Sequence, residues 1–180
     1  ERDIRNRTIR VLHSLSFVED PTRILRAIRF ERRFGFQIGG QTMRLIKNAL
    51  NPKLFSKLSG TRVMHELQLI MGEGDPLACL LRMQELGIME AIHPLLSLDR
   101  ERVQILTELV KVHNWYKLLY LEPEVASWKL YILGMTAGIK RDKIGQVSKR
   151  LHFTQKEERD FFHLRDMIGE ALMKLMGIRA

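Results

Sequence analysis

The chain has 180 residues, 45% hydrophobic and 28% charged, a balance that supplies a core and excludes an intrinsically disordered chain. Its single cysteine, Cys79, excludes an internal disulfide and points to a reducing, cytoplasmic setting; the apolar runs are too short to cross a bilayer. The formal net charge of +9 is uneven, because residues 1–50 carry 11 Lys/Arg against 5 Asp/Glu, and a clustered arginine surplus fits either phosphate and base contacts or a solvated basic face.

In chain order, residues 3–18 mix short apolar pairs with arginines and suit a strand or an extended run. The opening Glu1-Arg2-Asp3 has no Met and does not read as a signal peptide; with residues 1–18 it reads as the tail of something larger. Asp20-Pro21 starts a helix, with Asp at the N-cap and Pro at the first helical position, which runs to about Phe34 and ends at Gly35. Further helices are expected over 40–50, 61–71, 75–86, 99–120, 123–137, 140–151 and 154–176. Breakers separate them: Gly39-Gly40, Asn51-Pro52, Gly72-Glu73-Gly74, Gly87, His93-Pro94, Glu122-Pro123 and Gly138. Thr154 with Glu157 reads as a capping box, and Cys79, among Leu77, Ala78, Leu80 and Leu81, reads as core. The fold class is all-α, a multi-helix array with a short mixed remnant at its start.

On a helical wheel, Ile24, Ala27, Ile28, Phe30 and Phe34 share one face, and Arg26, Arg29 and Arg33 the other. Arg23 falls between Phe30 and Phe34 and needs a partner, which Glu19 or Asp20 can supply. Asp20 only accepts hydrogen bonds and Arg23 only donates them. Adenine and cytosine present an amino donor beside a ring-nitrogen acceptor, which suits that pair. Guanine and uracil meet it with the wrong polarity, and each buried polar group left unpaired costs about 1–3 kcal/mol. Spacing alone leaves open whether Asp20 is a base reader or only a helix cap.

The run Phe17-Val18-Glu19-Asp20-Pro21-Thr22-Arg23-Ile24-Leu25-Arg26-Ala27-Ile28-Arg29-Phe30 closely resembles the EDPxRxLRAxRF signature of the class II poly(A) polymerase and CCA-adding family. Glu31 to Phe36 resemble its continuation, and Asp3-Ile4 with Ile9-Arg10 the end of a preceding motif. Leu58 to Leu67 resemble a helix-opening motif, with Gly60 where a Ser/Glu-type residue is more usual. The motif-level match spans about residues 3–70, and 95–180 match only as a helical body.

The resemblance implies roles. Asp20 and Arg23 would pair with the base of incoming ATP or CTP, with Glu19 holding Arg23, and Arg26 would touch triphosphate or RNA. Arg62 and Glu66 would brace the base-reading helix, or form an ordinary surface pair. Arg29 and Arg33 stay open between RNA contact and solvated surface. The partner would be the 3′ end of tRNA or another RNA. The implied division is 1–18 as the tail of a nucleotidyltransferase head, 19–95 as the base-recognising neck, and 96–180 as an RNA-binding body. Catalysis in the family uses paired aspartates of the head that hold Mg²⁺. No residue here is expected to be catalytic or to ligate metal, and the chain alone is expected to be inactive.

The remaining signals are weaker. The six histidines form no HExxH and none precedes Asp. His113-Asn114-Trp115-Tyr116, with Tyr120, suits packing better than base stacking. Lys140-Arg141-Asp142-Lys143 and Lys149-Arg150 read as exposed basic sites, and Lys140 and Arg141 are candidate RNA contacts. The competing reading is a non-catalytic basic helical module that binds RNA or docks to a protein. Oligomeric state is not legible.

Overall fold

The computed structural model of the protein describes residues 2–50, 55, 58–120 and 126–175. Helices dominate. The stretch that reads as extended resolves into a helical turn α1 (Arg2–Arg5), a strand β1 (Thr8–Ile9) and a second turn α2 (Ser16–Glu19). Then come α3 (Thr22–Phe34), β2 (Gln37–Ile38), α4 (Gly40–Ala49), α5 (Gly60–Met71), α6 (Pro76–Glu85) and α7 (Ile88–Ile92). A 3₁₀ turn (Pro94–Leu96) leads to α8 (Arg100–Leu118), α9 (Ser127–Met135), α10 (Arg141–Arg150) and α11 (Gln155–Leu175). The long helices lie within a few residues of the spans set by the breakers. Asn51-Pro52, Glu122-Pro123 and the expected helix end at 176 lie outside the described residues. β2, α7 and the 3₁₀ turn are additions.

Local chemistry sets the boundaries. Gly35 closes α3 in the left-handed region, at φ 61°, where a side chain is strained. Asp75 caps α6 by accepting from the Ala78 N–H at 3.0 Å, with Pro76 in the first turn. Asp99 caps α8 through the Arg102 N–H at 2.8 Å. Thr154 and Glu157 form the expected reciprocal box: the Thr154 N–H donates to Glu157 Oε2 at 2.8 Å and the Glu157 N–H to Thr154 Oγ1 at 3.2 Å.

The core gathers where α3 packs on α5 and α6. Ile24, Leu25, Ile28, Val63, Leu67, Ile70, Cys79, Leu80 and Met83 are all fully buried there, the main source of stability. Burial pushes the Cys79 thiol up to about 11, so it behaves as an apolar core group. β1 and β2 pair in parallel, Thr8 opposite Gln37 and Ile9 opposite Ile38, which ties the start of the chain to the end of α3.

The buried face of α3 differs from the wheel reading. Leu25 and Arg29 are buried, whereas Phe34 is 54% exposed. The core arc is centred on Ile24, Leu25 and Ile28. Phe30 and Phe34 lie on its flank, with ring centroids 5.7 Å apart. Arg29 tolerates burial because carboxylates from α5 and the following turn meet it there.

A close approach and an arginine lock join α5 to α10. A Cβ on Gly60 would collide with the Arg150 carbonyl oxygen and the His152 ring, so glycine lets the start of α5 abut the end of α10. Arg150 locks that junction by donating to three backbone carbonyls, Phe55 at 2.8 Å, Ile92 at 3.1 Å and Leu58 at 3.2 Å. Its reading as an exposed basic site is therefore corrected. Carbonyls are strong acceptors that need partners when buried, and one guanidinium has enough donors for all three.

Candidate nucleotide-recognition site

Asp20 stands at the joint between α2 and α3, and both its carboxylate oxygens are engaged. Oδ1 accepts from the Thr22 N–H at 3.2 Å and the Thr22 hydroxyl at 2.6 Å. The expected cap is displaced by one residue: Pro21 is the N-cap and Thr22 the first helical residue, and Asp20 binds Thr22 from the position before the cap. Oδ2 accepts from Arg62 Nη2 at 2.7 Å and lies 3.8 Å from Arg23 Nε. Burial pushes the carboxyl up, but the bonds from Thr22 and the charge and bond of Arg62 outweigh it and hold Asp20 below the ordinary carboxylate range. The site thus holds a fixed anion beside a half-exposed guanidinium.

Arg23 makes its short bond elsewhere. Its Nη1 donates to Ser16 Oγ at 2.7 Å, while Glu19 Oε2 lies 4.0 Å away. Glu19 is also 3.7 Å from His13, which lines a neighbouring cleft with Arg10, Gln41 and Thr42.

Arg62 and Glu66, one turn apart on α5, both reach across to α3. Arg62 takes Asp20, and Glu66 lies 3.9 Å from Arg26 and 3.8 Å from Arg29. Arg29 Nη1 also donates to Glu73 at 3.2 Å, and Arg33 lies 3.6 Å from Glu73. Arg29 and Glu66 have side chains only 10% and 11% exposed, so their charges compensate each other inside the core edge. Arg26 and Arg33 keep about half their surface in solvent.

Sequence reasoning missed Ser16 and Thr22. A serine and a threonine beside an acidic pair carry no signal until the turn brings them onto it. Lys140 and Arg141 stand at the start of α10. Arg141 donates to Asp166 at 2.5 Å and lies over the Phe162 ring, and Lys140 is exposed. In the aromatic cluster, His113 is buried against Ser127 at 3.0 Å, as packing requires. Trp115 and Tyr120 are instead exposed, which corrects the packing reading for those two. Among the described residues no group of three His, Cys, Asp or Glu could hold a metal ion, and no helix is long and apolar enough to cross a membrane.

The helical array thus sets a carboxylate acceptor and a guanidinium donor side by side at the mouth of α3. Comparison with known proteins adds the family. Residues 35–99 match the family described as "Probable RNA and SrmB- binding site of polymerase A". The chain is 42% identical over 179 residues to the A-adding tRNA nucleotidyltransferase of Geobacter sulfurreducens, covering 99% of the chain and 20% of that protein. It is 32% identical over 142 residues to the enzyme of the same name from Aquifex aeolicus, covering 79% of the chain and 17% of that protein. The solved CCA-adding enzyme of Thermotoga maritima, complexed with tRNA, superposes with a TM-score of 0.81 at 30% identity over 98% of the chain and 42% of that structure. The chain belongs to the class II tRNA nucleotidyltransferase and poly(A) polymerase family, and spans about a fifth of the length of the curated relatives named here.

Proposed function

We propose that this chain selects the incoming nucleotide and grips the RNA end in a template-independent RNA nucleotidyltransferase that adds A, or C and A, to tRNA 3′ ends. The observation that carries this is the juxtaposition of Asp20 Oδ2 and Arg23 Nε at 3.8 Å, an acceptor and a donor of the polarity that adenine and cytosine complement. The names of the relatives that match across most of the chain favour A addition.

Arg62 and Glu66 serve as the brace, and Glu19 shares in holding Arg23. Arg29, buried between Glu66 and Glu73, belongs to that brace rather than to an RNA surface. Arg26, Arg33, Lys140 and Arg141 are the candidate contacts to triphosphate or RNA backbone, where sequence-independent charge attraction suffices. The division into a head tail (1–18), a neck (19–95) and a body (96–180) is part of the same proposal, with cytoplasmic action on tRNA. Mg²⁺ belongs to the chemistry of such enzymes, but the described residues offer no cluster for it, and none is assigned to it.

The test uses the full natural protein, with ATP and CTP, on tRNAs ending before C, CC or CCA. Asp20→Ala and Arg23→Ala are expected to lower nucleotide incorporation far more than RNA binding. Equal loss of both would favour the non-catalytic RNA-binding module instead.

A further inference from the structure

Arg23 and Asp20 can discriminate bases only if neither side chain is free to turn, and each is tied to a hydroxyl that no motif includes. Ser16 opens α2 and is 6% exposed; Thr22 opens α3 and is 4% exposed. We infer that these two hydroxyls are the positioning residues of base selection, Ser16 fixing the donor Arg23 and Thr22 fixing the acceptor Asp20. The inference rests on the nucleotide-selecting reading above and adds the residues that make it specific.

The lone pairs of Asp20 are almost all engaged. Each carboxylate oxygen has about two acceptor sites. Both sites on Asp20 Oδ1 are taken by Thr22, through its N–H and its hydroxyl. The carboxylate therefore cannot rotate about its terminal bond without breaking two hydrogen bonds at once. Oδ2 takes Arg62 at 2.7 Å and keeps one site, on the oxygen next to Arg23. That site suits one N–H of an exocyclic amino group.

The guanidinium needs the same discipline. Glu19, 4.0 Å away, is 55% exposed on its side chain and shared with His13. A long exposed carboxylate pays rotamer entropy to hold a partner. Ser16, with one side-chain torsion on a buried residue, holds Nη1 at 2.7 Å and leaves the other N–H groups to meet a ring nitrogen. Guanine or uracil would set a carbonyl against Oδ2 and an N–H against the guanidinium. Rejecting them needs both groups held still, because a side chain that can swing away escapes the mismatch.

The experiment uses the full natural protein and measures kcat/KM for ATP and GTP on a tRNA lacking its terminal A. Ser16→Ala is expected to lower the ATP-over-GTP preference about tenfold, the effect of one hydrogen bond to a charged group, and Ser16→Thr to restore part of it. Thr22→Val, which keeps the shape and removes the hydroxyl, is expected to move the acid limb of kcat/KM for ATP to higher pH. Thr22→Ser is expected to return it. A purely packing role would lower thermal stability and all rates together without moving the ratio or the limb. If the wild type is selective and Ser16→Ala is equally so, the inference is overturned. Should Ser16→Ala not fold, an acid limb unmoved in Thr22→Val overturns it instead. A wild-type protein that incorporates no nucleotide sinks the functional proposal, a distinguishable result.

Discussion

Arg62 donates to the same oxygen of Asp20 that faces Arg23, at 2.7 Å, across the gap between α5 and α3. Through this contact α5 is joined to the acceptor of the proposed base reader. Arg62→Ala in the full natural protein is expected to raise KM for ATP about tenfold, the cost of losing one charge-assisted bond. The effect on tRNA affinity should be smaller. Arg62 is also one of the groups holding the Asp20 carboxyl low, so the acid limb of activity should move to higher pH. Steady-state kinetics across pH check both; an unchanged KM and limb would show that Arg62 only decorates the surface.

Gly60 stands where a bulkier residue is more usual in the family motif, and the fold supplies the reason. A Cβ there would strike the backbone carbonyl of Arg150, which cannot swing aside as a side chain can. Gly60→Ala is expected to destabilise the protein by about 1–3 kcal/mol, the range for overpacking. Urea unfolding would read this as a lower midpoint with an unchanged slope. No loss of stability would mean that α5 and α10 part easily.

Helix positions were legible because their signals are local. Gly35, Asp75-Pro76, Asp99 and the Thr154/Glu157 box each act within one turn. The face that α3 buries was less so. A wheel sorts residues by type and places Arg29 outside, but Glu73, 44 positions on, makes its burial tolerable. Arg150 is a similar case, its acceptors at Leu58 and Phe55 lying 92 and 95 positions back. The acidic-basic pair of the candidate site was legible from polarity and spacing. Its hydroxyl ties were not, since Ser16 belongs to α2 and Arg23 to α3, and no helical wheel spans the break at Asp20-Pro21 that brings them together.

The buried charges make a stability prediction. Arg29 lies between Glu66 and Glu73, with side chains 10%, 11% and 14% exposed. Arg29→Met would leave two carboxylates with only the half-exposed Arg26 and Arg33 and is expected to cost about 3 kcal/mol. The double variant Arg29→Met/Glu66→Met should recover part of that loss, because it removes a stranded charge together with its partner. Unfolding free energies of the single and double variants test this. A double variant less stable than Arg29→Met would mean that the ion pair itself, not the cost of stranding a charge, dominates.

His93 gives the fold a dependence on mild acid. Its Nδ1 accepts from the Leu95 N–H at 3.1 Å, so the ring must be neutral at that atom. Burial, and secondarily the charge of Arg150, lower its pKa below the usual histidine value. The folded state therefore resists a proton that the unfolded chain accepts near pH 6.5. This contribution is fully present above the unfolded pKa and is lost as pH falls through the lower folded value. Asparagine at this position can still accept from Leu95 through its side-chain oxygen but does not titrate. Between about pH 7.5 and 5, the wild type should therefore lose more stability than His93→Asn, seen as a larger drop in urea midpoint. Equal losses in the two proteins would place the acid sensitivity at another group.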